Sequence, residues 1–211
     1  MSGHVITVAQ QKGGSGKTTI ALNLAVAFHR RGLTVALLDT DPQGSLGRWF
    51  MTRVESGEDP GMEFSTASAW GVSYECDKLK RQADVVLVDT PPKVDADLRP
   101  ALRASDLVLV PVATSQVDVW ATESVLDLAG REGRETLVVL NRARPGTRIA
   151  IEVAQTIADL GVARAQTILG NRVVYAEALG QGKGVLERGK GAWAPEIEAL
   201  ADEVLAAAGA G

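Results

Sequence analysis

Between residues 9 and 19 the chain reads AQQKGGSGKTT, a run whose glycines, lysines and hydroxyls suit one task, the binding of phosphate. In the general loop G-x-x-x-x-G-K-[ST], successive backbone N–H groups wrap the anion, the lysine reaches its outer oxygens and the hydroxyl ligates Mg²⁺. Gly16, Lys17 and Thr18 satisfy the end of that pattern; its first glycine position is Gln11, and Gly13 and Gly14 restore backbone freedom two residues later. A dinucleotide fingerprint, G-x-G-x-x-G, fits worse, because counting from Gly14 its third glycine falls on Thr19. The cradle expected for a nucleoside triphosphate with Mg²⁺ therefore runs from Gly13 and Gly14 through Ser15, Gly16, Lys17, Thr18 and Thr19. Lys12 is a cation beyond what the pattern needs.

Two acidic stretches complete a phosphoryl-transfer set, DTDPQGS (39–45) and VVLVDTPP (85–92). Transfer to water requires neutralising charge on the β- and γ-phosphates and holding one water in line. Asp89 ends an apolar run, which puts a carboxylate at the carboxyl edge of a strand, where it and Thr18 flank a metal. Asp39 and Asp41 close another apolar run in the same way. Thr90 follows Asp89 where many fast ATPases carry a glutamate, so intrinsic hydrolysis is expected to be slow and accelerated by a partner.

These groups need a frame that brings distant turns together. Near-continuous apolar runs at 5–9, 34–39, 83–89, 106–113 and 135–141 suit strands buried on both faces of a parallel sheet. Helical patterns at 17–31, 45–56, 73–82, 95–105, 117–131 and 147–160 alternate with them. The expected fold is α/β, a doubly wound, mostly parallel β-sheet flanked by helices, as in P-loop NTPases. Ligands bind such sheets beyond the carboxyl ends of the strands, where every exit here is rich in polar residues, Gly or Pro. Residues 57–72 read as a loop with one short strand at 63–68. With 211 residues and no repeat or linker, a single domain over 1–211 is expected.

The KGGSGKTT loop resembles that of the ParA/MinD family of ATPases, K-G-G-x-G-K-[ST], whose hallmark is the early lysine. DTDPQGS is similar to the family's D-x-D-P-Q motif, VVLVDTPP to its magnesium-side motif, and VPVATS (110–115) to P-V-x-P-S, with Thr114, after Ala113, where a proline often stands. The likeness covers essentially the whole chain. It implies that Lys17 is the intrinsic cation, that Asp39 lies near the magnesium shell with Thr18 and Asp89, and that Asp41 positions or activates the attacking water. It also implies that Lys12 reaches across a dimer interface to the nucleotide of the other subunit, so that ATP is sandwiched between two copies. The motif of guanine recognition is missing: LNRARP has Asn141, but Arg142 in place of the lysine and no following Asp. The family places adenine contacts near here, which makes Asn141 a candidate and ATP the expected nucleotide.

Relatives differ in what the cycle controls. Cys76 is the only cysteine, which leaves no internal disulfide and argues against relatives that share an iron–sulfur cluster or respond to arsenite. It reads as a small buried hydrophobe. No signal-peptide pattern opens the chain, and no run approaches the roughly 18 apolar residues of a membrane span. The tail APEIEALADEVLAAAGAG is acidic, unlike the basic amphipathic helix expected of a MinD-like membrane protein. Its apolar positions, Ile197, Leu200, Val204 and Leu205, fit a helix packed on the protein body.

Residues 142–190 carry eight Lys or Arg against four acids, a net +4 that leaves −8 on the rest. Arg142, Arg144, Arg148, Arg164, Arg172, Lys183, Arg188 and Lys190 are thus candidate contacts to a DNA phosphate backbone. The chain starts at its first strand, so the N-terminal helix-turn-helix region of larger plasmid ParA proteins is not expected. The reading is a cytoplasmic, nucleoid-associated ParA-type ATPase with a ParB-like or other stimulating partner and no membrane partner. The main alternative is an ATP-dependent ligase on the same scaffold, of the dethiobiotin synthetase or cobyrinic acid amidation type. Lys12 speaks against it, since those enzymes need no lysine offered to another subunit.

Overall fold

The computed structural model describes residues 3–57, 59–93, 98–144 and 146–210. In its first half β1 (His4–Val8), α1 (Lys17–Arg30), β2 (Val35–Asp39), α2 (Ser45–Glu55), β3 (Glu63–Thr66), α3 (Gly71–Leu79) and β4 (Val85–Asp89) follow one another. The second half adds α4 (Arg99–Ala104), β5 (Leu107–Ala113), α5 (Gln116–Arg131), β6 (Glu135–Ala143), α6 (Arg148–Asp159), β7 (Arg164–Gly170), α7 (Val173–Leu179), a 3₁₀ turn (Val185–Glu187) and α8 (Trp193–Ala207). The seven strands form one sheet in the order β3-β2-β4-β1-β5-β6-β7. Every neighbouring pair is parallel. The doubly wound fold expected from the sequence is the fold observed.

Side chains alternate across the strands as the pleat requires. On one face Ile6, Val8, Leu37, Leu87 and Leu109 pack against α1, α2 and α8 through Leu24, Phe28, Trp49, Leu200 and Val204. On the other, Val108, Val110, Val138 and Leu140 meet α4, α5 and α6. Val5, Leu38, Val86 and Val88 meet α3, where Cys76 is fully buried. Burial also pushes the Cys76 thiol up to about 12, so it is a core side chain and no nucleophile.

Helix α1 carries the phosphate loop at its start, so its placement matters most. Nearly all of it from Ile20 to Phe28 is buried, as a helix lying under a sheet must be. It ends at Gly32, whose φ of 83° lets the Leu33 N–H return to the Phe28 carbonyl, the usual left-handed closure of a helix. Asn23 ties it to the C-terminal third: its amide donates to the Thr19 carbonyl at 2.7 Å and its oxygen accepts the Val185 N–H at 2.7 Å.

Differences from the expected elements fall at β3, α4 and the edge strand β7 with the helix that follows it. The strand expected at 63–68 is β3 at Glu63–Thr66, and Phe64 on it stacks on Phe50 with ring centroids 4.8 Å apart. The helix expected at 95–105 is α4 at Arg99–Ala104, and residues 95–97 lie outside the described residues. Strand β7 and helix α7 have no counterpart in the sequence reading. RAQTILG alternates poorly and buries only Ala165, Leu169 and Gly170, because it pairs with β6 alone and through register shifts.

Leu24 is fully buried between the sheet and α8. Leu24→Ala is expected to cost ~2–5 kcal/mol. Urea unfolding would show this as a lowered midpoint at unchanged slope.

Candidate nucleotide site

The phosphate loop leaves β1 and turns into α1 through Gly14 and Gly16, at φ 77° and 96°. Gly16 is the N-cap of α1 and offers no side chain, so the first N–H groups of the helix face the loop's concavity with their positive dipole end. Any larger residue at Gly16 would put its Cβ on the Asn141 amide nitrogen. That amide donates to the Ser15 carbonyl at 2.8 Å, while the Asn141 oxygen accepts the Arg142 N–H at 2.9 Å. Asn141, buried at the end of β6, is thus a wedge that sets the loop's shape.

Register gathers the acidic groups. Asp89 pairs with Val8 on one side and with Asp39 on the other, so the ends of β1, β4 and β2 form one row. The Thr18 hydroxyl donates to Asp89 Oδ2 at 2.5 Å. Thr90 clips β4 to β1 by donating to the Val8 carbonyl at 2.8 Å, and Thr40 donates to the Asp89 carbonyl at 2.9 Å. Asp89 Oδ1 and the Ser15 hydroxyl are buried with no partner. Burial above all pushes the Asp89 carboxyl up to about 7; the Thr18 hydroxyl and Lys17 oppose this, and Asp39 and Asp41 add to it.

Asp39 is built differently. Its Oδ1 accepts the Asp41 N–H at 3.0 Å and its Oδ2 the Gly47 N–H at 2.9 Å, so both oxygens shape the turn into α2. Burial raises its pKa against those two donors. Asp41 is half-buried, accepts the Gln43 N–H at 2.9 Å and lines a 430 Å³ cavity with Pro42, Val72 and Pro91. Lys17 is buried at the head of α1; desolvation lowers its pKa, and the charges of Asp89 and Asp41 partly restore it.

This donor set fits Mg²⁺. A magnesium ion keeps most of its waters and takes one or two hard protein oxygens together with phosphate. Thr18 and the unpartnered Asp89 oxygen are such a pair. Among the described residues no cluster of three or more His, Cys, Asp or Glu offers a fuller cage.

Lys12 stands apart from Lys17. Its ammonium donates to Asp118 Oδ2 at 2.8 Å, with side-chain exposures of 39% for Lys12 and 4% for Asp118. Asp118 lies in the first turn of α5, whose N-cap Ser115 also donates its hydroxyl to Oδ2. Lys12 borders an open 620 Å³ groove with Gln11, Lys93, Val117 and Trp120, the last two 56% and 64% exposed. Buried Gln10 braces the loop's entry: its amide donates to the Pro111 carbonyl at 3.1 Å and Thr122 Oγ1 at 3.0 Å, and its oxygen accepts the Gln11 N–H at 2.9 Å.

Gln10 bonds to the loop, Asp118 to Lys12 and Ser115 to Asp118, and the sequence reading did not single them out. Ser115-x-x-Asp118 is a capping-box spacing that could have marked the last two; for Gln10 only the structure supplies a signal. The basic residues divide as well. Arg148 pairs with Glu152, Arg172 with Glu196 and Arg188 with Glu177, and Arg164 donates to the Ala165 carbonyl. Arg142, Arg144, Lys183 and Lys190 are exposed.

A parallel sheet with a glycine-rich loop, an invading lysine and a hydroxyl–carboxylate pair at its carboxyl edge defines a P-loop nucleotide-binding protein. Residues 6–185 match the CobQ/CobB/MinD/ParA nucleotide binding domain, and the chain belongs to that family, among its ParA/MinD ATPases. It is 32% identical to the maintenance of carboxysome distribution protein A of Halothiobacillus neapolitanus, over 95% of each chain. It is 30% identical to the chromosome-partitioning ATPase Soj of Thermus thermophilus, again over 95% of each. The fold superposes on a Cyanothece McdA variant in complex with ATP with a TM-score of 0.79, at 18% identity over 99% of this chain and 97% of the other.

Two outcomes follow. Gly16→Ala would incur ~1–3 kcal/mol of backbone strain before its clash with Asn141, so titration with a fluorescent ATP analogue should show at least about tenfold weaker binding. Asp89 titrates near 7 folded against 3.8 unfolded, so the stability from its bound proton is full below 3.8 and lost as pH rises through about 7. In EDTA, Asp89→Asn should therefore be the more stable protein in thermal melts above pH 7, with the gap to the parent closing as pH falls through 5.

Proposed function

We propose that the protein is a small single-domain positioning ATPase of the ParA type, cytoplasmic and associated with the nucleoid. Its ATP-bound form is a dimer with nucleotide between the subunits. That dimer binds DNA without sequence preference, and a partner protein ends the bound state by accelerating a slow hydrolysis. The names of the relatives support a positioning role, one for carboxysome distribution and one for chromosome partitioning. The observation that carries the reading is the placement of Lys12, half-exposed on a face shared with Val117 and Trp120 rather than buried beside Lys17.

The chemistry follows from the site. Loop N–H groups and Lys17 hold the β- and γ-phosphates, and Thr18 with Asp89 holds the metal. When bound, Mg²⁺ supplies the charge neutralisation that phosphoryl transfer requires. Asp41, the least buried of the three carboxylates, orients the attacking water. The partner's Lys12 adds positive charge as the transition state forms. Asn141 steadies the loop and is a candidate contact to the base.

For the anchor, the exposed Arg142, Arg144 and Arg148 follow closely in sequence where β6 ends and α6 begins, with Arg164, Arg172, Lys183, Arg188 and Lys190 as further candidate contacts. Helix α8 spends Ile197, Leu200, Ala201 and Val204 on the core, which leaves no apolar face for lipid and favours DNA. Among the described residues no helix is long and apolar enough to cross a membrane.

With ATP and Mg²⁺, Asp41→Ala should run at twice the monomer mass in light scattering and retain DNA at low salt. A monomer that ignores DNA under these conditions would overturn the reading. Arg142→Glu with Arg144→Glu should weaken DNA binding across all sequences and lower the salt slope by about one unit for each phosphate the protein no longer neutralises.

A further inference from the structure

The acidic turn that carries Asp41 is fastened from behind. Helix α2 leaves that turn with its Gly47 N–H donating to Asp39, and its far end is held by Arg53. The Arg53 guanidinium forks onto Glu187 through two bonds of 3.0 and 2.9 Å, and also donates to the Gly182 carbonyl at 3.1 Å and the Pro60 carbonyl at 3.0 Å. It lies over the ring of buried Trp49, whose own N–H donates to the Lys183 carbonyl at 3.2 Å. Side-chain exposures of 14% and 22% shield the ion pair from water, unlike a surface pair such as Arg131 and Asp127. Gly182 has no room for a side chain, because its Cβ would lie 2.5 Å from the Arg53 main-chain nitrogen.

The grip continues to the metal side of the site. Glu187 also accepts the Gly184 N–H at 2.7 Å, and Val185 beside it donates to Asn23 of α1. Asn23 in turn donates to the Thr19 carbonyl, one residue beyond the hydroxyl that binds Asp89. The head of α1 and the turn before α2 are therefore joined through Arg53 and Glu187 as well as through the sheet.

We propose that Arg53, through its fork on Glu187, is a positioning residue for Asp41: it fixes the start of α2 relative to the head of α1, and so fixes the water-side carboxylate relative to the metal-side hydroxyl. This rests on the reading of Asp41 given above. Phosphoryl transfer is sensitive to such spacing, since a remote change that displaces a group by ~1 Å can slow a reaction about a hundredfold. Helix α2 carries a shift of its last turn to its first, because its backbone bonds make it one stiff piece. Lysine at position 53 would keep the charge and lose the fork, which only the planar guanidinium supplies. Neither Arg53 nor Glu187 bonds to the phosphate loop, so the hold on the nucleotide does not depend on them.

Two measurements on the full chain test this. In Arg53→Lys and Glu187→Gln, amide hydrogen exchange read by mass spectrometry should quicken several-fold in peptides covering 40–48, where the Asp41 and Gly47 N–H groups bond to Asp39. Peptides covering β4 should keep the parent rate, which guards against loss of fold. In single-turnover hydrolysis with saturating ATP and Mg²⁺, both variants should be at least about tenfold slower than the parent, while the Kd of a fluorescent ATP analogue is unchanged. Because the effect acts through Asp41, adding Arg53→Lys to Asp41→Ala should slow hydrolysis no further. A tie that only stabilised the fold would loosen 50–61 and 180–187 alone, and would slow the Asp41→Ala protein as much as the parent.

Parent-like exchange over 40–48 in both variants would overturn the proposal. So would a further loss of rate on the Asp41→Ala background, or a loss of nucleotide affinity that matches the loss of rate. Faster exchange over 40–48 with hydrolysis unaffected by Asp41→Ala itself would confirm that Arg53 holds the turn while removing Asp41 as the group that orients water. The two ideas therefore fail separately.

Discussion

A carboxylate sunk at the carboxyl end of a central strand, with one oxygen bound to Thr18 and the other bound to nothing in the protein, is the constraint around which this molecule is arranged. Burial alone would keep Asp89 protonated near neutrality. A cation at its free oxygen reverses that preference, and the nearby polar groups are placed to receive one. Thr18 hands over its hydroxyl from the first turn of α1. Lys17 sits buried one residue earlier, with its charge favoured by Asp89 and Asp41. The site is strained without its ligands in an electrostatic sense, while its backbone is already in place.

Holding that backbone in place is the work of residues far apart in the chain. The row formed by Val8, Asp89 and Asp39 depends on parallel registry, and Thr90 and Thr40 lock the registry through main-chain carbonyls. Gln10 and Asn141 fix the two ends of the phosphate loop from opposite sides, one against β5 and α5, the other from the tip of β6. The two lysines of the loop then meet opposite fates. Lys17 is buried and depends on ligand charge, whereas Lys12 is turned outward and paired at once. The repulsion expected between two ammonium groups in one loop is relieved by a carboxylate on a different element.

Much of this was legible in the sequence. Strands such as VVLVD are buried on both faces and announce themselves as continuous apolar runs, and loop motifs are local by construction. β7 escaped because an edge strand that pairs on one side can stay polar, as Gln166 and Thr167 do while their N–H groups bond to Glu203 of α8. The brace of Gln10 and the pairing of Lys12 escaped because their partners lie more than a hundred residues away, and no spacing rule connects them. Charge counting over 142–190 likewise misses that Arg172 and Arg188 are bound to Glu196 and Glu177, neighbours that only folding brings near. Asp39 illustrates the same limit from another side: its motif marks an acidic residue near the site, and the structure shows both its oxygens engaged in the turn.

The contact between Asn141 and the phosphate loop has a practical meaning for anyone who would re-engineer this scaffold. The tip of β6 is where a designer would reach first to reshape the rim of the phosphate loop. Here the same amide props up Ser15 and occupies the space that makes Gly16 obligatory. The end of β6 and the phosphate grip share one hinge pin, and editing the first without rebuilding the second would loosen both.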